Sequence, residues 1–380
     1  MLAFILMPAV VWVPLGIYLY HIAARFLTLF GVEKKSKLSV TLSLAAALLC
    51  AVWGWQLYGL GAVVILHFLA FSAVFDILRL LFRRKIKKEK TKKILDILYR
   101  SNVVVIFIVC LIFAYGAYNI KDVRKTEYRI ETKKKAEDFK IVQISDLHMG
   151  TTMRVKTLET YAKQIQKEEP DLLALTGDIF DENTTKEEMK EAVDVLKNIK
   201  TAYGIYYVFG NHDYNSYTND PYYTKEELVQ TLEENEIYVL EDEKAVPNQW
   251  LTVVGRVDAS VDRAEIGDLM AQGDQDHFVL LLDHQPRGLE ENKAAGIDLQ
   301  LSGHTHAGQI WPTGQLGSLL GVTELNYGYQ KDDNYQAIVS SGIGGWGYAI
   351  RTGGHSEYVV VEVSSVSGRD KIKIIWEKSK

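Results

Sequence analysis

The stretch LQLSGHTHAGQIWP, Leu299–Pro312, contains two histidines in one short turn. An apolar run leads into a glycine-bounded turn in which His304 and His306 flank one threonine. The whole chain has 9 histidines in 380 residues, so this pair is conspicuous. Taken alone, the turn is compatible with a metal site or with an ordinary loop, and the rest of the sequence has to distinguish them.

Four other runs rich in Val, Ile, Leu and Tyr resemble the run before these histidines. The five predicted strands cover 140–144, 172–175, 205–209, 278–282 and 297–301, and the tail adds 336–340 and 357–363. Amphipathic stretches such as 155–168 lie between them, and two helices begin with capping boxes, Thr185 with Glu188 and Thr224 with Glu227. This alternation predicts an α/β domain with a largely buried sheet over residues 138–380.

Each of the five central runs ends in polar residues that can bind a metal ion. In chain order the residues are Asp146 with His148, Asp178 with Asp181, Asn211 with His212, then His284, then His304 with His306. Open α/β sheets bind ligands beyond the carboxyl ends of their strands, so all five clusters should meet at one edge. On extended backbone, residues i and i+2 point to the same side, so the two i, i+2 pairs can each present two ligands.

The ordered set Asp-x-His, Gly-Asp-x-x-Asp, Gly-Asn-His-Asp, His and Gly-His-x-His resembles the calcineurin-like metallophosphoesterase superfamily. The resemblance covers residues 139–380. The longer form His-Thr-His-Ala-Gly-Gln, with Trp311-Pro312 after it, is similar to a bacterial membrane-linked branch. That branch includes phosphodiesterases of lipid or UDP-diacylglucosamine-type substrates. The closing segment Ser341–Gly344 with Arg351 is similar to the same branch more loosely.

The resemblance implies a four-layer αββα sandwich with two divalent metal ions at the edge of its sheets. Carried over by motif, the first ion would be bound by Asp146, His148, Asp178 and His306, and the second by Asp178, Asn211, His284 and His304. Asp178 would bridge the two ions, and His212 would be the acid near the leaving group. We also expect Asp181 to orient His212, with a plain loop role as the alternative.

Residue chemistry supports this ligand set. Two divalent ions about 3.5–4 Å apart can clamp the attacking and leaving oxygens of a phosphoryl group, and a hydroxide bridging them would attack. A bridging ligand has to be a carboxylate, because its two oxygens can face two cations. A mixed oxygen and nitrogen shell favours Mn²⁺, with Zn²⁺ or Fe as alternatives. The leaving oxygen then needs a proton, which histidine supplies near neutral pH.

The first 120 residues predict a transmembrane region. Residues 2–29, 38–81 and 101–118 are apolar, and the middle stretch of 44 residues fits two spans, 38–58 and 61–81. Trp53, Trp55 and Tyr58 near the intervening turn suit a membrane interface. The prediction is therefore a region 1–120 with four helices, a basic linker over 121–137, and the catalytic domain over 138–380. Buried helices of a soluble protein are the alternative.

Basic residues between the spans predict the orientation. The first loop carries Lys34, Lys35 and Lys37, and the third carries eight Lys and Arg between Arg83 and Lys93. By the positive-inside rule both loops are cytoplasmic, which places both termini and the catalytic domain outside the cytoplasm. The chain would then be a multi-pass protein of the cell membrane. The basic residues after the last span weaken this assignment.

Charge separates the chain into two parts and disfavours some functions. Residues 1–137 carry 21 basic and 8 acidic side chains, whereas the rest carries 22 and 40. The acidic part repels a phosphate backbone, which disfavours a double-strand nuclease, and no nucleic-acid partner is expected. Purple acid phosphatases are set aside because Asp181 stands where that group has a tyrosine.

The combined prediction is a membrane-anchored phosphoesterase that hydrolyses a phosphomonoester or phosphodiester. Its substrate would be lipid-linked or of nucleotide-sugar type and would lie near the bilayer. Aromatic residues beside the site would form a wall against a lipid, sugar or base, with packing as the alternative; they are Tyr214, Tyr217, Tyr222, Tyr223 and Trp311. A catalytically silent metal-stabilised receptor or scaffold, a protein phosphatase and a transporter with a regulatory domain remain open. The sequence identifies no protein partner.

Overall fold

The structure is a computed structural model that describes residues 2–57, 59–270 and 276–366, with side chains described from residue 10 onward. The chain forms two compact units, Met1–Tyr115 and Gly116–Lys380. The predicted turn residue Tyr58 and the last residues of the predicted catalytic domain lie outside the described residues.

The amino-terminal unit is helical. Its helices are α1 (Leu2–Leu27), α2 (Lys37–Trp53), α3 (Leu60–Phe82), α4 (Glu89–Ser101) and α5 (Val103–Asn119), the last ending in the second unit. A short 3₁₀ turn, Thr28–Phe30, follows α1. The side chain of Ser36 caps α2 by accepting a hydrogen bond from the backbone N–H of Ser39, which places the start of that helix.

Four transmembrane helices are not what the structure supports. Within the described residues, two helices are long and apolar enough to cross a membrane, Val10–Phe30 and Leu60–Phe82. The predicted spans 38–58 and 101–118 correspond to helices of 17 residues each, somewhat shorter than one crossing. The helices α4 and α5 meet at 54°, and they are long enough to cross a membrane only when they are taken together as one bent span.

The second unit contains the predicted alternation of strands and helices. Its strands are β1 (Val123–Thr132), β2 (Phe139–Ile144), β3 (Leu172–Thr176), β4 (Ile205–Val208), β5 (Ile237–Val239), β6 (Glu243–Ala245), β7 (Leu251–Gly255), β8 (Phe278–Leu282), β9 (Leu299–Ser302), β10 (Gly328–Asp332), β11 (Tyr335–Val339) and β12 (Ser356–Ser365). Its helices are α6 (Val155–Gln166), α7 (Lys186–Lys197), α8 (Lys225–Glu233), α9 (Ile266–Met270), α10 (Leu289–Ala294) and α11 (Thr313–Leu319). Both predicted capping boxes are present, at the starts of α7 and α8.

The described strands form two six-stranded mixed sheets. The first has the order β1-β12-β2-β3-β4-β5 and the second the order β10-β11-β9-β8-β7-β6. Strands β2 to β5 are parallel, as are β7, β8 and β9. The carboxyl ends of these strands therefore lie together at one end of each sheet.

Apolar side chains on both faces of each sheet produce four layers. Phe139 and Val208 of the first sheet pack with Leu280 and Leu301 of the second, so the sheets face each other through a common core. The opposite face of the first sheet is covered by α6, α7 and α8, and that of the second by α9 and α10. Because these strands are buried on both faces, they read as continuous apolar runs.

The basic linker expected over residues 121–137 is corrected. Residues Val123–Thr132 form β1, which pairs in parallel with β12 at the border of the first sheet. Its cationic side chains meet carboxylates, with Arg129 3.0 Å from Glu362 and Lys125 3.1 Å from Glu168. The charges obscured the strand in the sequence because an edge strand keeps alternate side chains in water.

Candidate metal centre

The polar residues predicted from the sequence follow five strands of the two sheets. The loops after β2, β3 and β4 belong to the first sheet, and those after β8 and β9 to the second. The expected single sheet edge is in fact two facing edges, which the packing of the sheets brings together. The resulting site is mostly buried, with Asp146, His148 and His284 completely inaccessible to solvent.

Asp146, His148 and His306 form the first group of ligand-capable side chains. Nε2 of His148 lies 3.3 Å from Nε2 of His306, and Nε2 of His306 lies 3.4 Å from Oδ1 of Asp146. Two ring nitrogens and a carboxylate oxygen therefore converge on one point, as the ligands of a cation do.

Asp178, His284 and His304 form the second group. Oδ2 of Asp178 lies 3.2 Å from Nε2 of His284 and 3.8 Å from Nε2 of His148, which belongs to the first group. This oxygen thus lies between the two groups. Asn211 is beside them, and its buried Oδ1 has no hydrogen-bond partner among the described residues.

The donor set fits a pair of divalent cations. Nδ1 of His284 donates a hydrogen bond of 2.9 Å to the carbonyl of Thr176, which turns Nε2 toward Oδ2 of Asp178, 3.2 Å away. Burial and the neighbouring His284 lower the pKa of His304 to about 4, which keeps its imidazole in the neutral form that binds metal. Burial alone would raise the pKa of Asp178, but His284 and His148 outweigh it and hold that pKa well below its usual range.

Asp181 does not orient His212, and this expectation is corrected. Oδ2 of Asp181 lies 3.2 Å from Nδ1 of His148, which is the arrangement by which a carboxylate fixes a metal-binding histidine. Nδ1 of His212 instead lies 2.9 Å from Oε2 and 3.1 Å from Oε1 of Glu182. Asp181 and Glu182 are adjacent in the chain, and the geometry of the turn after β3 decides which carboxylate reaches which histidine.

The environment of His212 favours its protonated form. Burial lowers the pKa of this imidazole, but Glu182 and Asp178 outweigh burial and raise the pKa to about 9. The backbone N–H of His212 also donates a hydrogen bond of 2.9 Å to Oδ1 of Asp178. His212 therefore lies beside both groups as a cationic imidazole: its backbone N–H reaches Asp178 of the second group, and its ring centroid is 5.2 Å from that of His148 in the first.

The backbone of the site is left-handed where extended backbone was expected. The residues with positive φ are Asp146 (53°), His148 (46°), Asp178 (52°), His304 (71°) and His306 (51°). Such φ values are uncommon for residues other than glycine and cluster at functional sites. The predicted i, i+2 alternation is therefore not how these pairs of side chains are presented.

Asp213 holds these loops in place, and the sequence did not assign it a role. Its carboxylate accepts hydrogen bonds from the backbone N–H groups of Asp178 and Gly210, each at 2.7 Å, and of Phe180 at 2.8 Å. Gly210 is needed there, because a Cβ at this position would overlap the carboxylate of Asp178. The Gly-Asn-His-Asp motif thus supplies a clamp in its last residue.

The closing segment supports the turn that carries His306. The buried guanidinium of Arg351 donates hydrogen bonds to the carbonyls of His306 at 2.9 Å and Gly344 at 2.6 Å. The end of α5 fastens the same segment, since Asn119 donates to the carbonyls of Arg351 at 3.0 Å and Gly354 at 2.8 Å. The closing segment, which is loosely similar to the bacterial membrane-linked branch, thus supports the turn that carries His306.

The aromatic residues near the site divide into packed and exposed ones. Tyr223 is buried and Tyr214 stacks on Phe209, so these two belong to the core. Tyr217, Tyr222 and Trp311 are exposed. Tyr217 is the nearest of them to the site, because its hydroxyl lies 3.4 Å from Nδ2 of Asn211. Trp346, which the sequence did not single out, lies 6.2 Å from His212 between ring centroids.

The sequence is similar to those of known proteins. Residues 139–308 match the family described as calcineurin-like phosphoesterase. The chain is 26% identical over 305 residues to an uncharacterized metallophosphoesterase of Campylobacter jejuni, covering 77% of each chain. It is 31% identical over 261 residues to the uncharacterized metallophosphoesterase YkoQ of Bacillus subtilis, covering 64% of this chain and 92% of that one. It is 27% identical over 281 residues to the transmembrane protein with metallophosphoesterase domain of Danio rerio, covering 68% of this chain and 62% of that one.

Proposed function

Because this chain belongs to the calcineurin-like phosphoesterase family and is a metal-dependent phosphoester hydrolase, we propose that it acts on a lipid-linked or nucleotide-sugar-type phosphoester from a membrane anchor. The position of Asp178 between two groups of ligand-capable side chains carries the two-metal part of this proposal. A chain that also holds apolar helices long enough to cross a bilayer would meet substrates at a membrane.

We assign the ligands as the sequence predicted them. Asp146, His148 and His306 would hold one divalent ion, His284, His304 and Asn211 the other, and Asp178 both. Two such ions supply electrostatic stabilisation of the phosphoryl oxygens and an activated water. The nitrogen and oxygen donors suit Mn²⁺, Zn²⁺ or Fe, with Mn²⁺ favoured.

His212 is the proposed proton donor to the leaving oxygen. Its Nδ1 is engaged by Glu182, so Nε2 is the atom that would deliver the proton. Glu182 keeps the imidazole cationic and fixes its ring. Tyr217, Trp346 and Trp311 are the aromatic side chains available to contact the rest of the substrate.

The proposed anchor places the catalytic unit outside the cytoplasm. Both apolar helices, Val10–Phe30 and Leu60–Phe82, are followed by basic segments, which the positive-inside rule assigns to the cytoplasm. This orientation requires α2 to return the chain across the membrane and α5 to carry it out again, although each of these helices has only 17 residues. Protease added to intact cells should cleave the unit Gly116–Lys380 and spare the segment around Arg83; the opposite pattern would reverse the assignment.

Substrate class is tested with the purified full chain in detergent. The assays compare an aryl monoester, a bis-aryl diester and detergent-dispersed lipid phosphodiesters, each with Mn²⁺, Zn²⁺ or Fe²⁺. We expect the lipid-linked diesters to be turned over with the highest kcat/KM. Turnover of soluble monoesters alone would contradict the lipid proposal, and no turnover with any metal would favour a silent scaffold.

A further inference from the structure

A second pocket lies in the amino-terminal unit, far along the chain from the metal-binding motifs. It has a volume of about 810 Å³ and is formed by the end of α3, the segment after it, and α4. Phe75, Leu78, Phe82 and Leu95 give it an apolar wall. A pocket of this size is in the range that accommodates a small-molecule or lipid ligand.

Five cationic side chains also line the pocket. They are Arg79, Arg83, Lys92, Lys93 and Arg100, against a single carboxylate, Asp96. Asp96 pairs with Arg79 at 2.9 Å and also with Arg100. Lys92 pairs with Glu89 outside the pocket at 2.6 Å. The side chains of Arg83 and Lys93 make no ion pair with a described residue, so positive charge remains uncompensated here.

The cationic lining is fixed by stacking and buried hydrogen bonds. The ring of Tyr99 lies between the guanidinium groups of Arg79 and Arg25, each 3.9 Å from its centroid. Arg25 is itself held by Asp76 at 2.7 Å and Asn102 at 2.8 Å. The buried Nε of Arg100 has no hydrogen-bond partner among the described residues, and it is one donor that a ligand would satisfy.

We propose that this pocket binds one anionic phospholipid of the bilayer. The acyl chains would lie against Phe75, Leu78 and Phe82, and the headgroup phosphate would lie at Arg83 and Lys93. Basic pockets at the ends of membrane helices bind anionic headgroups, whereas a zwitterionic headgroup would leave the excess charge unmatched. The inference rests on the proposed membrane anchor and does not depend on the proposed catalytic activity.

Native mass spectrometry of the full chain in mild detergent tests the site. The chain is titrated with phosphatidylglycerol, with phosphatidylcholine of the same acyl chains, and with glycerol phosphate as the headgroup alone. We expect one phosphatidylglycerol to bind at least about ten-fold more tightly than phosphatidylcholine, and glycerol phosphate to compete poorly. Arg83→Ala combined with Lys93→Ala should reduce the affinity for phosphatidylglycerol by about ten-fold or more.

Two matched controls keep the test specific. Lys34→Ala with Lys35→Ala removes the same charge from the other basic segment and should leave the affinity unchanged. Leu78→Trp fills the pocket and should abolish binding, whereas Leu80→Trp, on an exposed position of the same helix, should not. Equal losses in both double variants, or equal binding of the two lipids, would overturn the proposal. Recovery of the chain without detergent would refute the anchor and the lipid site with it, while the phosphoesterase assay tests catalysis separately.

Discussion

The two oxygens of Asp178 have different partners, and His212 explains why. Oδ1 accepts the backbone N–H of His212 at 2.9 Å, while Oδ2 lies 3.2 Å from His284 and 3.8 Å from His148. A single oxygen is thus available to both groups of ligands, where the sequence argument expected one oxygen for each ion. The same carboxylate also fixes the start of the loop that carries the proposed proton donor.

Replacing Asp178 by asparagine should be the most damaging single change. Even partners of metal ligands cost about 10–100-fold when removed, so loss of the shared ligand should lower kcat/KM by more than about 100-fold. Hydrolysis of a bis-aryl diester at saturating Mn²⁺ measures this. Asp194→Asn is the control, since that carboxylate is exposed on α7 and pairs with Lys197. If Asp178→Asn kept an activity within a few-fold of the wild type, Asp178 would not be a shared metal ligand.

Substitutions of the neighbours Asp181 and Glu182 should impair different properties, metal affinity for Asp181 and kcat for Glu182. Asp181→Asn weakens the support of His148, so metal affinity should fall by about 10–100-fold and added metal should restore activity. Glu182→Gln leaves the ligands intact but removes the negative charge that helps to keep His212 protonated, so kcat should fall with metal content unchanged. Metal titrations of the diesterase activity measure both. Rescue of Glu182→Gln by metal, and none of Asp181→Asn, would reverse the two roles.

Asp213 should prove to be a structural clamp. Asp213→Ala would leave three buried backbone N–H groups without an acceptor, and each such group costs about 1–3 kcal/mol. We therefore expect the catalytic unit to lose at least about 3 kcal/mol of unfolding free energy, seen as a lower Tm in detergent. Asp220→Ala, at an exposed position, is the control. An unchanged Tm for Asp213→Ala would show that the loops hold without it.

Protonation of Glu357 in acid should lower the stability of the second unit. Burial raises the pKa of this carboxyl, but hydrogen bonds from His355 and Thr126 outweigh burial and hold the pKa below its usual range. A depressed folded-state pKa contributes stability above the unfolded value, about 4.3 for Glu, and that contribution is lost as pH falls through the folded value.

The comparison of Glu357→Gln with the wild type tests this. The difference in Tm should be largest at neutral pH and should shrink as the pH drops below about 4. Glu362→Gln, on a more exposed carboxylate of the same strand, should show a smaller difference throughout. A difference for Glu357→Gln that grows towards acid pH would contradict the depressed pKa.

Much of the catalytic unit was predictable because buried parallel strands leave a strong signal. The runs before Asp146 and His304 are apolar on both faces, and their ends mark where ligands must lie. Strand β1 was missed because its exposed side chains are charged. The sequence could not show that Glu182, and not Asp181, contacts His212, since this depends on the geometry of the turn after β3. The left-handed backbone of the ligand loops likewise comes from tertiary hydrogen bonds such as those of Asp213.

The helices of the membrane region were harder to predict, because hydropathy alone does not determine where a helix ends. The predicted spans 38–58 and 101–118 end as helices of 17 residues, at Trp53 and Asn119. The helix α4 was read as part of a basic loop. Its lysines lie near its amino-terminal end, and two of the apolar side chains that follow them, Leu95 and Ile97, line the pocket.

Anomalous diffraction from crystals of the full chain grown with Mn²⁺ would show whether two metal ions share Asp178. We expect two manganese peaks about 3.5–4 Å apart, one beside His148 and His306, the other beside His284 and His304, with Asp178 touching both. A single peak, or two peaks that do not share Asp178, would contradict this expectation.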